Sequence, residues 1–339
     1  MRSEKRYFRN FALLKANMVD SLSNIKEPIK KDLERFNEIF SETLKSSNTY
    51  LSQIISSIGK NGKQVRPILL LLVAKEFGSI QESTYLSAAT LEILHTASLI
   101  HDDVVDESNE RRGIKSLNYL YGNKVAVLTG DYILSSALLS ACRTNLEIVT
   151  RIAELGRQLS EGEIIQMKNA SEKKFSENSY FEAIRLKTAS LFSMCCELGA
   201  MSVNAPREMV IKMRQMGEWI GICFQIRDDI FDYYDDNIGK PTGNDLAEGK
   251  LTLPLLYALS HYPEPEMVEL AMKVRQMKIS EDEISALVNF AKRKGGIEYA
   301  HAQMLDYAQK AKGMIVDFTH PDIRQALSSY IDFVTERKS

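Results

Sequence analysis

The sequence predicts an all-helical protein, and three observations support that prediction. Apolar residues recur at three- and four-residue spacing along most of the 339-residue chain, as they do on the buried face of an α-helix. Only 8 prolines and 17 glycines are present, and no Asn-Gly or Asp-Gly turn joins two alternating, strand-like segments. The hydrophobic content of 44% is sufficient for a large buried core.

The helical spacing defines a series of segments in chain order. They are residues 28–45, 67–77, 83–104, 124–142, 148–168, 180–203, 207–234, 251–261, 266–276, 281–294, 297–316 and 321–336. Polar breaks lie at residues 59–63, 106–115, 169–179, 235–250 and 261–265. None of these breaks resembles a long flexible linker, so we expect a single domain over residues 1–339.

Charge and cysteine content restrict the possible functions. The net charge of −2 and the isoelectric point near 6.3 provide no basic field for nucleic acid, which we exclude as a partner. The cysteines show no paired metal spacing and two are adjacent, which favours a reducing cytoplasm over a disulfide framework. They are Cys142, Cys195, Cys196 and Cys223.

Neither a signal peptide nor a membrane span is expected. Lys15 and Asn17 interrupt the apolar residues near the start before a signal-peptide core develops. The longest apolar stretch, from Ile68 to Ala74, is far below the roughly 20 residues that a spanning helix needs.

Two aspartate clusters with the same spacing lie on strongly helical segments. The first consists of Asp102, Asp103 and Asp106, and the second of Asp228, Asp229 and Asp232. At about 100° per residue, three carboxylates so spaced project from one face of a helix. Their repulsion, about 0.2–0.5 kcal/mol per pair, should be offset by a cation. Oxygen donors without His or Cys favour Mg²⁺ shared with substrate phosphates over zinc. One cluster alone could be a solvated helix end, but two matching clusters favour a metal site.

Basic residues near these clusters are candidates for binding phosphate groups. They are Lys63, Arg66, Arg111, Arg112, Lys187, Lys240 and Lys250. Lys63 and Arg66 flank a predicted helix start, where the backbone favours anions. Arg111 and Arg112 follow the first cluster, and each guanidinium can fork onto a separate phosphate. Taken singly, each set could also be an ordinary helix cap, a charged loop or surface lysines.

Three further polar residues accompany the charged ones. His95 precedes Asp102 by two helical turns and projects along nearly the same face, although a lone histidine can equally be a satisfied core residue. Gln225 lies three residues before the second cluster, and Thr188 follows Lys187 in the sequence. Together these residues predict a cavity with metal ions at one rim and cations around two phosphate positions.

On these residues the chain resembles the trans-prenyl diphosphate synthase family, of the long-chain type. The motifs that carry the resemblance are Gly62–Pro67, Leu99–Asp106, Arg111–Gly113, Gly130–Tyr132, Lys187–Thr188, Phe224–Asp232, Gly239–Asp245 and Glu248–Pro254. One departure is Asn61, which stands where many relatives carry Gly. The resemblance implies a homodimer in which each chain is a bundle of antiparallel helices around a deep central cavity.

The resemblance also implies roles for individual residues. Asp102, Asp106 and Asp228 would hold three Mg²⁺ ions against an allylic diphosphate, with Asp103, Asp229 and Asp232 supporting. The same diphosphate would contact Arg111, Lys187, Gln225, Lys240 and Lys250, while isopentenyl diphosphate would contact Lys63, Arg66, His95 and Arg112. Thr188 and Gln225 would stabilise the allylic cation by their dipoles. The expected reaction adds successive isopentenyl units to farnesyl or geranylgeranyl diphosphate, giving an all-trans chain for quinones or similar lipids.

Product length is expected to depend on residues below the first aspartate cluster. Each helical turn descends about 5.4 Å, close to one isoprene unit. Ser98 and Ala97 lie four and five residues upstream of Asp102, where short-chain relatives carry aromatic rings, so an open shaft is expected. Its depth would then be limited by bulkier residues, namely Leu91, Leu94, Leu134 or Leu138. Alternatively, Ala97 and Ser98 are small only for helix packing.

Other functions remain as alternatives. Within the enzyme class the alternative is a geranylgeranyl diphosphate synthase. A terpene cyclase is disfavoured because the second aspartate cluster is intact. A non-catalytic subunit of a heteromeric synthase is disfavoured because both the aspartates and the arginines are present. Membrane contact would be at most transient, for product release.

Overall fold

The described part of the chain is largely α-helical, which confirms the predicted fold class. The computed structural model describes residues 22–58, 63–111, 113–171, 175–234 and 242–336. The signal-peptide prediction and the predicted roles of Arg112 and Lys240 concern residues outside these ranges.

The helices follow one another with short connections. Those of the N-terminal half are α1 (Lys30–Thr43), α2 (Thr49–Ser57), α3 (Val65–Phe77), α4 (Glu82–Val105), α5 (Leu117–Tyr121), α6 (Asn123–Ala141) and α7 (Leu146–Ser171). Those of the C-terminal half are α8 (Glu177–Ile184), α9 (Ser190–Ser202), α10 (Arg207–Phe231), α11 (Asn244–Ala247), α12 (Leu253–His261), α13 (Pro265–Arg275), α14 (Glu281–Arg293), α15 (Gly296–Gly313) and α16 (Pro321–Glu336). A 3-10 turn (Glu27–Ile29) precedes α1, and a π-helical turn (Arg185–Ala189) joins α8 to α9. Strands β1 (Glu110–Arg111) and β2 (Ile114–Lys115) form an antiparallel hairpin.

Most predicted segments agree with the helices to within a few residues, and the differences have local causes. Helices α5 and α11 were not predicted because they are too short for helical periodicity to be recognised. Helix α2 was also not predicted. The predicted helix at 180–203 is interrupted by the π-helical turn. The predicted break at 106–115 contains the hairpin, in which Gly113 takes a φ of 77°, a conformation that favours glycine.

The centre of the molecule is α3, a helix that is apolar on all sides. Every residue from Ile68 to Ala74 is fully buried, as expected of a helix enclosed by others. It packs against α4, α9 and α16, and α9 in turn packs against α10. Within the described ranges, no helix is long and apolar enough to cross a bilayer.

Two glycines allow the central helices to approach closely. A Cβ atom at Gly199 would lie 2.6 Å from the carbonyl oxygen of Leu70, and one at Gly221 would lie 2.5 Å from the Cα atom of Ala189. Both distances are too short for any side chain, so α9 packs backbone to backbone against α3, and the π-helical turn packs in the same way against α10.

The last helix, α16, contacts both α3 and α10. The buried Tyr330 hydroxyl of α16 donates a hydrogen bond of 3.0 Å to the carbonyl oxygen of Val65, at the first residue of α3. Helix α16 is therefore attached to the helix start that carries Arg66.

One face of α6 remains apolar and exposed. Leu128 is 69% exposed and Leu139 is 72% exposed, and Val127 and Leu138 lie beside them in the sequence with smaller exposed fractions. Large adjacent apolar side chains on a surface indicate a site of association with another molecule.

Candidate active site

Both aspartate motifs lie at the C-terminal ends of central helices. Asp102 and Asp103 occupy the last turn of α4 and Asp106 is its C-cap, while Asp228 and Asp229 occupy the last turn of α10 and Asp232 is its C-cap. The carbonyl ends of helices carry partial negative charge, so carboxylates there are unfavourable unless cations offset them. The two motifs therefore require positive partners.

Lys250 lies near acidic side chains from the regions of both aspartate motifs. Burial lowers the pKa of Lys250, but its hydrogen bond to Glu248 and the nearby charges of Asp106 and Asp245 raise it overall. Its Nζ lies 2.6 Å from Glu248 Oε2. Since Asp106 ends α4 and Asp245 lies in α11, just after the second motif, one cation faces both halves of the site.

Asp102 lies among charges of both signs. Burial raises the pKa of its carboxyl, and the charges of Glu163 and Asp106 raise it further, while Lys187 and Arg111 act in the opposite direction. A carboxylate whose ionised form is destabilised in this way gains from any additional cation. Asp102 is thus suited to a cation ligand role.

Asp103 is already paired within the chain. Its Oδ1 lies 2.6 Å from the Nε atom of Arg111, and the residue is only 6% exposed. Burial raises the pKa of Asp103, and Arg111 lowers it. The hairpin of β1 and β2 brings Arg111 back over the end of α4, and Asn118 donates at 3.2 Å to the carbonyl oxygen of Asp103.

The second motif divides into residues with different surroundings. The Asp228 side chain is 44% exposed and pairs with Arg227, whose side chain is 4% exposed. Arg227 Nε lies 3.2 Å from Asp228 Oδ1. Oδ1 of Asp228 is therefore held by the buried guanidinium of Arg227. Among the described residues, Oδ2 has no cation partner.

Asp229, next in the sequence, is buried. It accepts hydrogen bonds from the Tyr180 hydroxyl at 2.5 Å and from Gln225 Nε2 at 2.8 Å. Burial raises the pKa of Asp229 well above its usual range, with a further contribution from the Asp245 charge that the two hydrogen bonds only partly oppose. Gln225 Oε1 accepts from Thr188 Oγ1 at 2.8 Å, so the predicted residues Thr188, Gln225 and Asp229 are in one network.

Asp232 caps the next helix. Its two carboxylate oxygens accept from the backbone N–H groups of Asn244 at 2.9 Å and Asp245 at 3.0 Å. Burial raises the pKa of Asp232, and these two hydrogen bonds lower it. Burial and the charge of Asp232 raise the pKa of Asp245 to about 7, a value that Lys250 moderates.

Lys187 lies in the π-helical turn and pairs with Glu163 of α7. Gly162 makes this possible, because a Cβ atom there would lie 2.8 Å from the backbone nitrogen of Lys187. The turn therefore packs directly against α7. The charge of Lys187 lowers the pKa of Asp102 and that of Glu163 raises it, so these three side chains interact electrostatically.

Of the predicted isopentenyl diphosphate residues, Lys63 and Arg66 lie at the start of α3 and His95 lies on α4. Arg66 lies with its guanidinium carbon 5.2 Å from the ring centre of Phe192, and its Nε has no hydrogen-bond partner in the described part of the structure. Lys63 is exposed and His95 is half-buried. A half-buried guanidinium with an unused donor can accept an anion at low desolvation cost.

The residues predicted to set product length differ in burial. Ala97 is 1% exposed, and Ser98 is half-buried with its hydroxyl donating at 2.9 Å to the carbonyl of His95. Among the leucines considered as a floor, Leu138 is 43% exposed on the surface of the protomer. Leu91, Leu94 and Leu134 are buried or half-buried and are better placed inside the molecule.

Sequence reasoning missed several residues of this site. They are Glu163, Tyr180, Arg227, Asp245 and Glu248. Tyr180 precedes Lys187 by seven residues, two helical turns, and this spacing could have indicated a shared face. Arg227 and Asp245 lie inside motifs that were recognised, but their contacts were not predictable. Glu163 stands in an ordinary amphipathic helix, and no sequence signal singles it out.

A helical fold with acidic motifs at the ends of two central helices, and cations facing both, is typical of enzymes that bind diphosphate through metal ions. The polyprenyl synthetase family matches residues 48–291, and the chain belongs to this family. It is therefore a trans-polyprenyl diphosphate synthase, a transferase of prenyl groups, which confirms the sequence prediction.

Relatives with different product names are similar to this chain. An octaprenyl diphosphate synthase of Haemophilus influenzae is 32% identical over 317 residues, which cover 92% of this chain and 94% of that protein. A geranylgeranyl pyrophosphate synthase structure from Bacteroides thetaiotaomicron has a TM-score of 0.84 at 44% identity, covering 94% of this chain and 100% of that one. A decaprenyl diphosphate synthase structure from Rhodobacter capsulatus has a TM-score of 0.88 at 30% identity, with coverage of 94% and 100%.

Proposed function

We propose that this protein is a Mg²⁺-dependent synthase that extends farnesyl or geranylgeranyl diphosphate with successive isopentenyl diphosphates to a long all-trans chain. The observation that carries the proposal is the shared electrostatic environment of the two aspartate motifs. Lys187 and Arg111 act on Asp102, and Lys250 faces both Asp106 and Asp245. Cations placed between two sets of carboxylates suit a diphosphate bound with divalent ions.

The donor set fits magnesium. The candidate ligands are carboxylate oxygens, and burial raises the pKa of Asp102, so an added cation would stabilise its ionised form. In the described ranges, no three acidic, histidine or cysteine side chains converge closely enough to hold a metal ion by themselves. Mg²⁺ in proteins keeps several waters and is shared between one or two carboxylates and substrate phosphates. We assign Asp102, Asp106 and Asp228 as ligands of three ions, with Asp103, Asp229 and Asp232 supporting.

The reaction begins with cleavage of the allylic C–O bond, whose electron pair leaves with pyrophosphate. Bound Mg²⁺ would supply Lewis-acid stabilisation of that charge. Arg111, Lys187 and Lys250 would bind the departing pyrophosphate oxygens and hold them in place. The dipoles of Thr188 and Gln225 would face the allylic cation. The isopentenyl double bond attacks this cation, forming the new C–C bond, and released pyrophosphate takes the proton that is lost.

The second substrate would bind beside the start of α3. We assign Lys63, Arg66, His95 and Arg112 to isopentenyl diphosphate, and Lys240 to the allylic diphosphate. Support comes from the unused Nε donor of Arg66. The tie between Tyr330 and Val65 would keep this helix start fixed while the substrate exchanges in each cycle.

A long product is supported by the small residues at positions 97 and 98. Neither Ala97 nor Ser98 can close a shaft below Asp102, whereas buried Leu91 and Leu94 lie one to two turns deeper on the same helix. A geranylgeranyl product is the second candidate, and the 44% identity to a structure of that name favours it.

The working form that we propose is a cytoplasmic homodimer. The exposed leucines of α6 would be covered by the same face of a second copy, since a two-fold interface is self-complementary. Free thiols throughout, three of them buried, suit a reducing compartment.

The test is incubation of purified protein with farnesyl diphosphate, labelled isopentenyl diphosphate and Mg²⁺, followed by chain-length analysis of the dephosphorylated products. We expect products of six or more isoprene units, and none when the metal is chelated. Products that stop at four units would replace the long-chain proposal with the geranylgeranyl one. An inactive chain would indicate that a second subunit is needed.

A further inference from the structure

Adjacent aspartates of the second motif have opposite surroundings. The Asp228 side chain is 44% exposed, whereas Asp229 is 2% exposed. Both oxygens of Asp229 are occupied, Oδ2 by the Tyr180 hydroxyl and Oδ1 by the Gln225 amide. A ligand for an ion at the rim of a cavity needs an accessible oxygen, which Asp228 has and Asp229 lacks.

The contacts of Asp229 continue to the π-helical turn. Tyr180 comes from α8, Asp229 and Gln225 from α10, and Thr188 from the turn between α8 and α9. The hydroxyl of Thr188 donates to Gln225 Oε1 at 2.8 Å, and Gln225 Nε2 donates to Asp229 Oδ1 at 2.8 Å. This chain of hydrogen bonds joins three elements of the site.

The carboxylate of Asp229 fixes the orientation of the Gln225 amide. Oδ2 of Asp229 accepts from the Tyr180 hydroxyl and Oδ1 accepts from the NH₂ group of Gln225. With its NH₂ group directed to Asp229, the amide oxygen of Gln225 points to Thr188, which donates its hydroxyl proton. The Tyr180 hydroxyl holds the other carboxylate oxygen and so prevents rotation of Asp229.

We propose that Asp229 and Tyr180 are positioning residues, which fix the dipoles of Gln225 and Thr188 toward the reacting allylic group. The inference rests on the proposed function and explains how Asp229 gives the support assigned to it there. It predicts that Tyr180 and Asp229 affect the rate of the chemical step, while Asp228 affects the binding of the ions.

The first variant is Tyr180→Phe, which removes one hydroxyl and keeps the ring. We expect kcat to fall about tenfold, as for loss of a hydrogen bond to a charged group, with KM for both diphosphates within about twofold of wild type. The matched control is Tyr85→Phe, which removes a similar hydrogen bond, from Tyr85 to Asp32 at 2.8 Å, outside the site. It should leave kcat unchanged. A wild-type kcat in Tyr180→Phe would overturn the proposal.

The second measurement separates positioning from metal binding without using activity. Mg²⁺ with inorganic pyrophosphate should raise the Tm of the wild-type protein, because ligands of the folded state stabilise it. We expect Asp229→Asn and Tyr180→Phe to keep that increase and Asp228→Asn to lose it. Loss of the increase in Asp229→Asn to the same degree as in Asp228→Asn would make Asp229 a metal ligand and refute the proposal.

If Asp229→Asn does not fold, Tyr180→Phe decides alone. Failure of the proposed function would differ from both outcomes, since the wild-type protein would then make no prenyl product.

Discussion

Arg227 Nη1 donates a hydrogen bond of 2.7 Å to the carbonyl oxygen of Val334, in the last turns of α16. The same guanidinium holds Asp228 through Nε and Nη2 and lies 4.6 Å from the ring centre of Phe224. A single buried cation therefore joins the second aspartate motif to the C-terminal helix. A planar group with several donors in fixed directions is required for this, and lysine cannot replace it.

We predict that Arg227→Gln lowers both stability and metal affinity. Hydrogen bonds to charged groups contribute about 1.5–3 kcal/mol each, so we expect the free energy of unfolding in urea to fall by about 2 kcal/mol or more. The Mg²⁺ concentration for half-maximal activity should rise because Asp228 loses its support. Arg227→Lys should be intermediate.

Arg35→Gln is the control, since Arg35 is exposed and pairs with Glu38 on the surface. Unchanged urea and Mg²⁺ midpoints in Arg227→Gln would contradict the prediction.

Glu163 is predicted to weaken the binding of the allylic substrate. Its carboxylate pairs with Lys187, and in the proposed function Lys187 would have to leave this partner to bind the allylic diphosphate. Glu163→Gln should therefore lower KM for the allylic diphosphate several-fold and leave KM for isopentenyl diphosphate unchanged. Steady-state kinetics measures both values, and Glu161→Gln, an exposed residue two positions earlier, is the control. An increase in the allylic KM would show instead that Glu163 is needed to hold Lys187 in place.

Residue 97 is predicted to control product length. Ala97→Phe should place a ring in the proposed shaft one turn below Asp102 and shorten the product by several isoprene units. Ala97→Val adds less bulk and should shorten it less. Chromatography of the dephosphorylated products measures the distribution, and circular dichroism checks folding. If both variants give the wild-type distribution, position 97 does not face the growing chain.

The apolar face of α6 is predicted to hold the dimer together. Leu139→Glu places a charge where Leu139 is 72% exposed in the protomer, and burying an unpaired charge in an interface is unfavourable. We expect sedimentation to show a shift from dimer to monomer. Leu305→Glu, at another exposed leucine on α15, is the control and should remain dimeric. A dimeric Leu139→Glu protein would exclude this face.

The thiol of Cys223 is predicted to make stability depend on alkaline pH. Burial raises the pKa of Cys223 to about 12, whereas an unfolded thiol titrates near about 8.5. The folded state holds the proton more tightly, so this contribution to stability is complete below pH about 8.5 and is lost as the pH rises toward about 12. Urea unfolding is measured between pH 8 and 10.5, roughly the lower part of this window. Over this range, the wild-type protein should lose stability relative to Cys223→Ser. A difference that does not change with pH would refute this assignment.

Most helix positions were predictable because each of these helices follows from local spacing. Each aspartate cluster spans five residues, and this spacing alone places its three carboxylates on one face of a helix. The different contacts that the individual aspartates make were not predictable. That Asp232 caps α11, and that Arg111 returns to Asp103, depend on the path of the chain between the paired residues. The π-helical turn at Lys187 likewise depends on packing against Gly162, a contact made across the fold.

The attachment of α16 to both Val65 and Arg227 has a consequence for protein synthesis. The residues that surround the two proposed substrate positions are translated early and in the middle of the chain, but their last supports arrive with Tyr330 and Val334. Domains fold as units once their contacts are available. A nascent chain therefore cannot complete this site until α16 has left the ribosome, and a chain that stops within α16 lacks one or both supports.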